Sequence, residues 1–259
     1  MINQLDANGR IKNYHSGPRL NTNSHTVLLE KTKKWIRAKF ENHIVINSRN
    51  ASILFEDGHL PTYYFPKTDI NMDLLNKSNK TSNCPFKGDA TYWDLKSRDK
   101  KYLNSAWSYE NPIKGQEGLK GLIAFYWSKI DNWYEEDEEI FSYPRDPYVR
   151  IDTLRSSRNI EVYLNNELIL STSKSIILFE THKSPKYFFS INDIKVNLVF
   201  SETLFRCPYK GISNYLSIKE NNKFFKDVIM QYTQPKPEVS ILKNLVCFDI
   251  KPPLTIKVS

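Results

Sequence analysis

Short runs of Val, Ile, Leu, Tyr and Phe recur along this chain between polar turns, and long stretches with helical periodicity are hard to find. HIVINSRNASILFE (43–56) contains two apolar runs separated by Asn47-Ser48-Arg49-Asn50, the pattern of a hairpin. TYYFP (62–66) reads as an aromatic strand, and LIAFY (122–126) as a closing one. DINMDLLNKS (69–78) places an Asp ahead of Leu74 and Leu75 and predicts one or two helical turns with Asp69 as N-cap. The pattern predicts a mainly β chain, mostly antiparallel, with few short helices.

The pattern also occurs twice. SILFEDGHLPTYYFPKTDI (52–70) aligns without gaps on IILFETHKSPKYFFSINDI (176–194), so that Phe55, Glu56, Pro61, Tyr63 and Asp69 fall on Phe179, Glu180, Pro185, Tyr187 and Asp193. After one deleted position CPFKGDATYW (84–93) falls on CPYKGISNYL (207–216), and LIAFY falls on LVCFD (245–249). A tandem pair of domains follows, predicted at 31–140 and 141–259 behind a loosely held polar leader, 1–30. Between the copies, WYEEDEEIFSYPRDPYVRID (133–152) has five consecutive acids and two prolines, the composition of a solvated connector.

ILFE, the P.YYFP..D spacing, CP.KG.A.Y, AWSY..P and LIAFY, followed by PRDPYVRIDTLRSSRNIEVY, together resemble the tandem form of the family called domain of unknown function 427, also labelled a nucleotidyltransferase domain. The resemblance covers residues 35 to 250. It implies two tandem β-tent-like domains, related in shape to zinc-binding modules, and it implies no established reaction. The second copy is the more divergent: Met230 stands where the first has Trp107, and Ser190 where the first has Pro66.

Several residues recur with the pattern and could carry chemistry. In the CP(F/Y)KG turn, Gly88 and Gly211 permit positive φ and close backbone approach, while Pro85 and Pro208 fix the entry. Lys87 is then either a turn residue reaching a surface carboxylate, or a cation, base or imine-forming amine facing a pocket. Glu56 ends an apolar strand and Asp69 follows the aromatic one, so each is either an ion-pair partner or an acid/base group. Lys87, Glu56 and Asp69 are the candidates for a reaction. Tyr63, Tyr64, Cys84, Tyr92, Trp107 and Tyr109 are the candidate ligand contacts of the first copy, and Lys186 and Lys210 those of the second; a β shell lined by Tyr, Trp and a few charges is a usual small-molecule pocket.

Other classes are disfavoured. One Cys per CP(F/Y)KG turn cannot close a four-ligand zinc site even with His59 and His182 on neighbouring hairpins, which read as solvated, so no metal and no cofactor are expected. Neither DGHLP (57–61) nor KGQEGLKG (114–121) makes a phosphate-cradling loop of the kind nucleotidyl transfer needs. The net charge of +8 is spread: residues 1–140 carry 20 Lys+Arg against 18 Asp+Glu, the remainder 17 against 11, with no basic block, so no specific nucleic-acid partner is expected. No apolar run approaches the roughly 18 residues of a membrane span, and three scattered cysteines suit a reducing, cytoplasmic compartment. The function these features point to is recognition of a small polar metabolite in the first copy, with or without its conversion. The rival is a non-catalytic interaction module whose pocket is vestigial and whose basic second copy binds a partner.

Overall fold

A computed structural model describes residues 17–18, 25–96, 101–220 and 222–259. Most of the proposed leader, 1–16 and 19–24, lies outside these. The chain divides into two compact units at Tyr148/Val149. Both are mainly β, built from antiparallel sheets joined by short 3₁₀ turns.

The first unit contains β1 (Val27–Lys31), β2 (Ile36–Phe40), β3 (His43–Ser48), β4 (Ser52–Glu56), β5 (Thr62–Pro66), β6 (Leu75–Cys84), β7 (Gly88–Lys96), β8 (Lys101–Ser108), β9 (Leu122–Phe125), β10 (Asn132–Glu135) and β11 (Glu138–Ile140). They form a seven-stranded sheet in the order β1-β4-β5-β9-β8-β7-β6 and a four-stranded sheet in the order β11-β10-β2-β3. Alternate residues of β2, β4, β5 and β9 (Ile36, Ala38 and Phe40; Ile53 and Phe55; Tyr63 and Phe65; Ile123 and Phe125) enter one core with Val45, Ile46 and Trp133. The residues between them on β4, β5 and β9 point to the opposite face of the large sheet. There Leu54, Tyr64 and Ala124 pack with Ala90, Tyr92, Tyr109, Leu119 and Leu122 as a second, smaller cluster.

Four local expectations are corrected. Residues 47–50 do not close a hairpin: β3 pairs with β2, and β4 with β1 and β5. That segment turns a corner between the sheets, and the hairpin is β2–β3, turned by Glu41 and Asn42 at positive φ. The helical turns near 70 are 3₁₀ turns, Lys67–Asp69 and Met72–Leu74, and the cap of the second is Asn71, whose side chain accepts from the Asp73 amide. The end of the leader is strand β1, paired with β4 along its length. The acidic stretch 135–139 is the β10–β11 hairpin, where Glu135 accepts from the Tyr63 hydroxyl at 2.7 Å and pairs with Lys34.

The second unit repeats the plan with β12 (Ile151–Ser156), β13 (Ile160–Leu164), β14 (Glu167–Thr172), β15 (Ser175–Glu180), β16 (Lys186–Phe188), β17 (Leu198–Cys207), β18 (Gly211–Glu220), β19 (Lys223–Pro235), β20 (Val246–Phe248) and β21 (Leu254–Val258). The equivalence reaches single residue pairs. Tyr92 faces Trp107 and Trp107 faces Ala124 in the first unit, as Tyr215 faces Met230 and Met230 faces Cys247 in the second. Two differences stand out. β21 occupies beside β13 the place that β10 takes beside β2. The large sheet also opens, since β16 and β20 are strands of separate sheets linked by one bridge, Phe189 to Val246.

Candidate functional site

The smaller cluster of the first unit surrounds a buried charge pair. Glu56 is the last residue of β4 and, by the strand's alternation, shares the outer face with Leu54. Lys87 lies in the turn between β6 and β7 and reaches back to Glu56 Oε2; the two residues are 5% and 7% exposed. Glu56 Oε1 faces His25 Nε2 at 3.2 Å, and the His25 ring stacks on Phe86 of the same turn. Burial pushes the Glu56 carboxyl up, but the charge and hydrogen bond of Lys87, with His59 and His25, outweigh it and leave its pKa below the usual carboxylate value.

Gly88 makes the turn possible. It has φ +103°, bridges to Pro112, and the chain crossing it is fastened where the Ile113 amide donates to the Lys87 carbonyl at 3.1 Å. That crossing brings Tyr109 over the pair, with Lys87 Nζ 5.9 Å from its ring centre.

An open cavity of about 470 Å³ reaches this pair. Its polar wall includes Glu56, Lys87, His59 and Thr62, and its aromatic wall includes Tyr63, Tyr64, Tyr92, Trp107 and Tyr109 with Tyr126 and Trp127. The aromatic wall is a cross-strand ladder: Tyr92, Trp107, Ala124 and Tyr64 stand opposite one another across β7, β8, β9 and β5. The small Ala124 leaves room for the Trp107 indole N–H to donate to the Tyr64 hydroxyl at 2.9 Å. Burial, with Tyr109 next, raises the Tyr64 hydroxyl well above the usual phenol value; burial and Tyr92 raise that of Tyr126 to about 12. Tyr64 and Tyr126 are therefore uncharged at neutral pH.

Seven of the sequence candidates thus meet at one cavity: Glu56, Lys87, Tyr63, Tyr64, Tyr92, Trp107 and Tyr109. Asp69 does not join them. It accepts from Ser48 Oγ at 2.7 Å and Asn50 Nδ2 at 3.2 Å, which ties down the corner between β3 and β4. Cys84 packs behind the wall against the smaller cluster, and Lys186 and Lys210 belong to the second unit. Lys87 pairs with a buried carboxylate and not with a surface one. His59 is half-buried in the cavity wall, which corrects the reading of a solvated hairpin residue. Trp133, Tyr143 and Pro144 also line the cavity, although the acids around them read as a connector.

The second unit holds the same pair in different surroundings. Lys210 Nζ meets Glu180 Oε2 at 2.5 Å, and Lys183 takes Oε1 at 2.5 Å where His25 stands in the first unit. Phe188 replaces Tyr64 and Met230 replaces Trp107, so both partners of that hydrogen bond have been exchanged for apolar groups, and they pack with Tyr232 and Cys247. A cavity of about 400 Å³ at the corresponding place is lined by Pro185, Lys186, Tyr187, Phe248, Asp249 and Ile250, among others; neither Glu180 nor Lys210 is part of its wall.

The family model described as Domain of unknown function (DUF427) matches residues 28–136 and 152–255, one match on each unit. The chain belongs to this family. The description of the family assigns no reaction to it. No curated protein matches the chain. Among the described residues no group of three or more His, Cys, Asp and Glu is placed to hold a metal ion, and no helix is long and apolar enough to cross a membrane.

The pair has a consequence for acid stability. The Glu56 pKa is lower in the folded chain than the unfolded value near 4.5, so the folded state holds fewer protons; its contribution is complete above that value and disappears as pH falls through the lower folded one. In acid titrations followed by tryptophan fluorescence, Glu56→Gln is expected to be less stable at neutral pH and to lose stability less steeply below about pH 4.5. All five tryptophans lie between residues 35 and 133, so this signal originates in the first unit. Parallel acid limbs for the two proteins would refute the linkage.

Proposed function

We propose that the first unit binds a small polar metabolite in the cavity of Glu56 and Lys87. The ion pair alone does not argue for this, since both units contain it. The observation that carries the reading is the lining of the cavities: the first unit's cavity has the pair in its wall, and the corresponding cavity of the second unit does not, although the two pairs are about equally buried. The wall suits a flat ligand. Trp107 and Tyr126, with ring centres 4.6 Å apart, offer aromatic faces to its body, and the buried charges and His59 offer hydrogen bonds to its polar end.

The chemistry of the pair favours recognition over conversion. An ammonium held against a carboxylate has its lone pair occupied by a proton, which disfavours an imine-forming role for Lys87. A carboxyl with a depressed pKa is ionised at neutral pH and has no proton to give, so Glu56 is an acceptor and an orienting charge.

The test is a metabolite screen on the full chain by thermal shift and tryptophan fluorescence, because Trp107 and Trp127 line the cavity. A ligand of this site raises the melting temperature and changes the emission saturably. Tyr126→Ala, at an exposed wall position, should weaken it about tenfold, the equivalent of one lost aromatic contact. A screen without a saturable emission change, or a ligand that binds Tyr126→Ala as tightly as the parent, favours the interaction-module reading instead.

A further inference from the structure

The second unit has a further cavity, which adjoins the one of Lys186 and Asp249 at Phe189. It measures about 860 Å³ and is lined by residues from the end of β12, the β14–β15 turn, and the segment from Phe188 to Asp193. Two cations, Arg155 and Lys174, stand in its wall, and neither forms an ion pair among the described residues. Ser175, also in the wall, is 4% exposed, and its Oγ has no hydrogen-bond partner among the described residues. A buried hydroxyl left unsatisfied costs stability and calls for an explanation.

We infer that this cavity is a binding site for a small organic phosphate. The donors fit a tetrahedral dianion with several oxygens, better than a carboxylate with two. Ser175 stands directly opposite Ser156 in the β12–β15 register, at the ends of the two strands. The Ser156 and Ser190 hydroxyl oxygens accept from the amides of Arg158 (3.2 Å) and Asn192 (3.3 Å), which leaves each hydroxyl proton free to be donated into the cavity. Asp193 is the carboxylate of the wall and an acceptor for a hydroxyl or amine on the same ligand. Phe188, Ile241 and Leu245 provide an apolar surface for the rest of it.

The first unit holds different residues at this place. Asn50, Ala51 and Pro66 stand where the second unit has Lys174, Ser175 and Ser190. In the first unit Asn50 binds Asp69 through its side chain and accepts from Lys31 Nζ at 3.3 Å through its carbonyl, so cation and carboxylate are both engaged within the protein. Their counterparts Arg155 and Asp193 have no such partners among the described residues.

Calorimetric titration of the full chain with phenyl phosphate, inorganic phosphate and benzoate tests the inference. Phenyl phosphate is expected to bind saturably and at least about tenfold more tightly than either half-ligand, with no change in tryptophan emission. Lys174→Gln and Arg155→Gln should each weaken it about tenfold or more, one charge-assisted hydrogen bond apiece. Ser175→Ala should keep or raise the melting temperature of the free protein while weakening phenyl phosphate several-fold, opposite signs that a purely structural hydroxyl would not give. Absence of saturable heat, equal binding of benzoate or inorganic phosphate, parental affinity in Lys174→Gln and Ser175→Ala, or a tryptophan response placing the ligand in the first unit would each overturn it.

Discussion

Lys87→Met is expected to lower the stability of the first unit by about 3–5 kcal/mol, because it leaves the Glu56 carboxylate, only 7% exposed, without its ammonium partner. His25 and His59 remain nearby, but an imidazole carries full positive charge only when protonated. The double variant Lys87→Met, Glu56→Leu should recover most of the loss, since exchanging both members of a buried pair for apolar groups is often neutral. Lys210→Met should cost less, because Glu180 keeps the Lys183 ammonium at 2.5 Å. Urea unfolding followed by tryptophan emission reads the first unit, and circular dichroism reads the whole chain. A loss below about 1 kcal/mol for Lys87→Met would make the pair equivalent to a surface ion pair and end its role as the organiser of the site.

Gly211→Ala is expected to be the most damaging single methyl addition in the CP(F/Y)KG turns. At φ +94° a Cβ is strained wherever it points, and here it would lie 2.2 Å from the Gln234 carbonyl oxygen, in the paired strand β19, and 2.9 Å from the Lys236 amide nitrogen just past that strand's end. Gly88→Ala, at φ +103°, meets the Asn111 oxygen at 3.1 Å and has more room. Backbone strain alone should cost Gly88→Ala about 1–3 kcal/mol, and the added clash should take Gly211→Ala to about 4 kcal/mol or beyond. Denaturant midpoints of the two variants measure the difference; equal losses would mean that the crossing strand yields and that only φ matters.

The two halves of the CP(F/Y)KG question had different visibility. That the turn needs glycine was legible from its composition, because no other residue relieves positive φ under a crossing backbone. That its lysine turns inward was not. Lys87 and Glu56 are 31 positions apart, and their meeting depends on β4 and the β6–β7 turn arriving at the same side of one sheet. Asp69 shows the converse. It recurs beside the others in sequence, yet one corner of chain turns it toward Ser48 and Asn50, away from the cavity.

The sequence by itself determined the repeat, the β class, the strand faces and the set of residues worth following, since all of these are properties of spacing: a period of two assigns faces, and a shift of 124 residues assigns copies. Only the tertiary structure decided which copy's pair lines a cavity, that the acidic connector is a hairpin with Trp133 in the core, and that one cavity wall of the second unit holds two cations and a serine hydroxyl without ion-pair or hydrogen-bond partners among the described residues. The physical reason is that cavity lining and ion pairing depend on strand order and on side chains far apart in the chain. An Ala at 124 and a Cys at 247 are ordinary strand residues when read along the sequence; across the sheet, the Ala leaves room for Trp107 to reach Tyr64, while the Cys packs with Phe188 and Met230 where that hydrogen bond has gone.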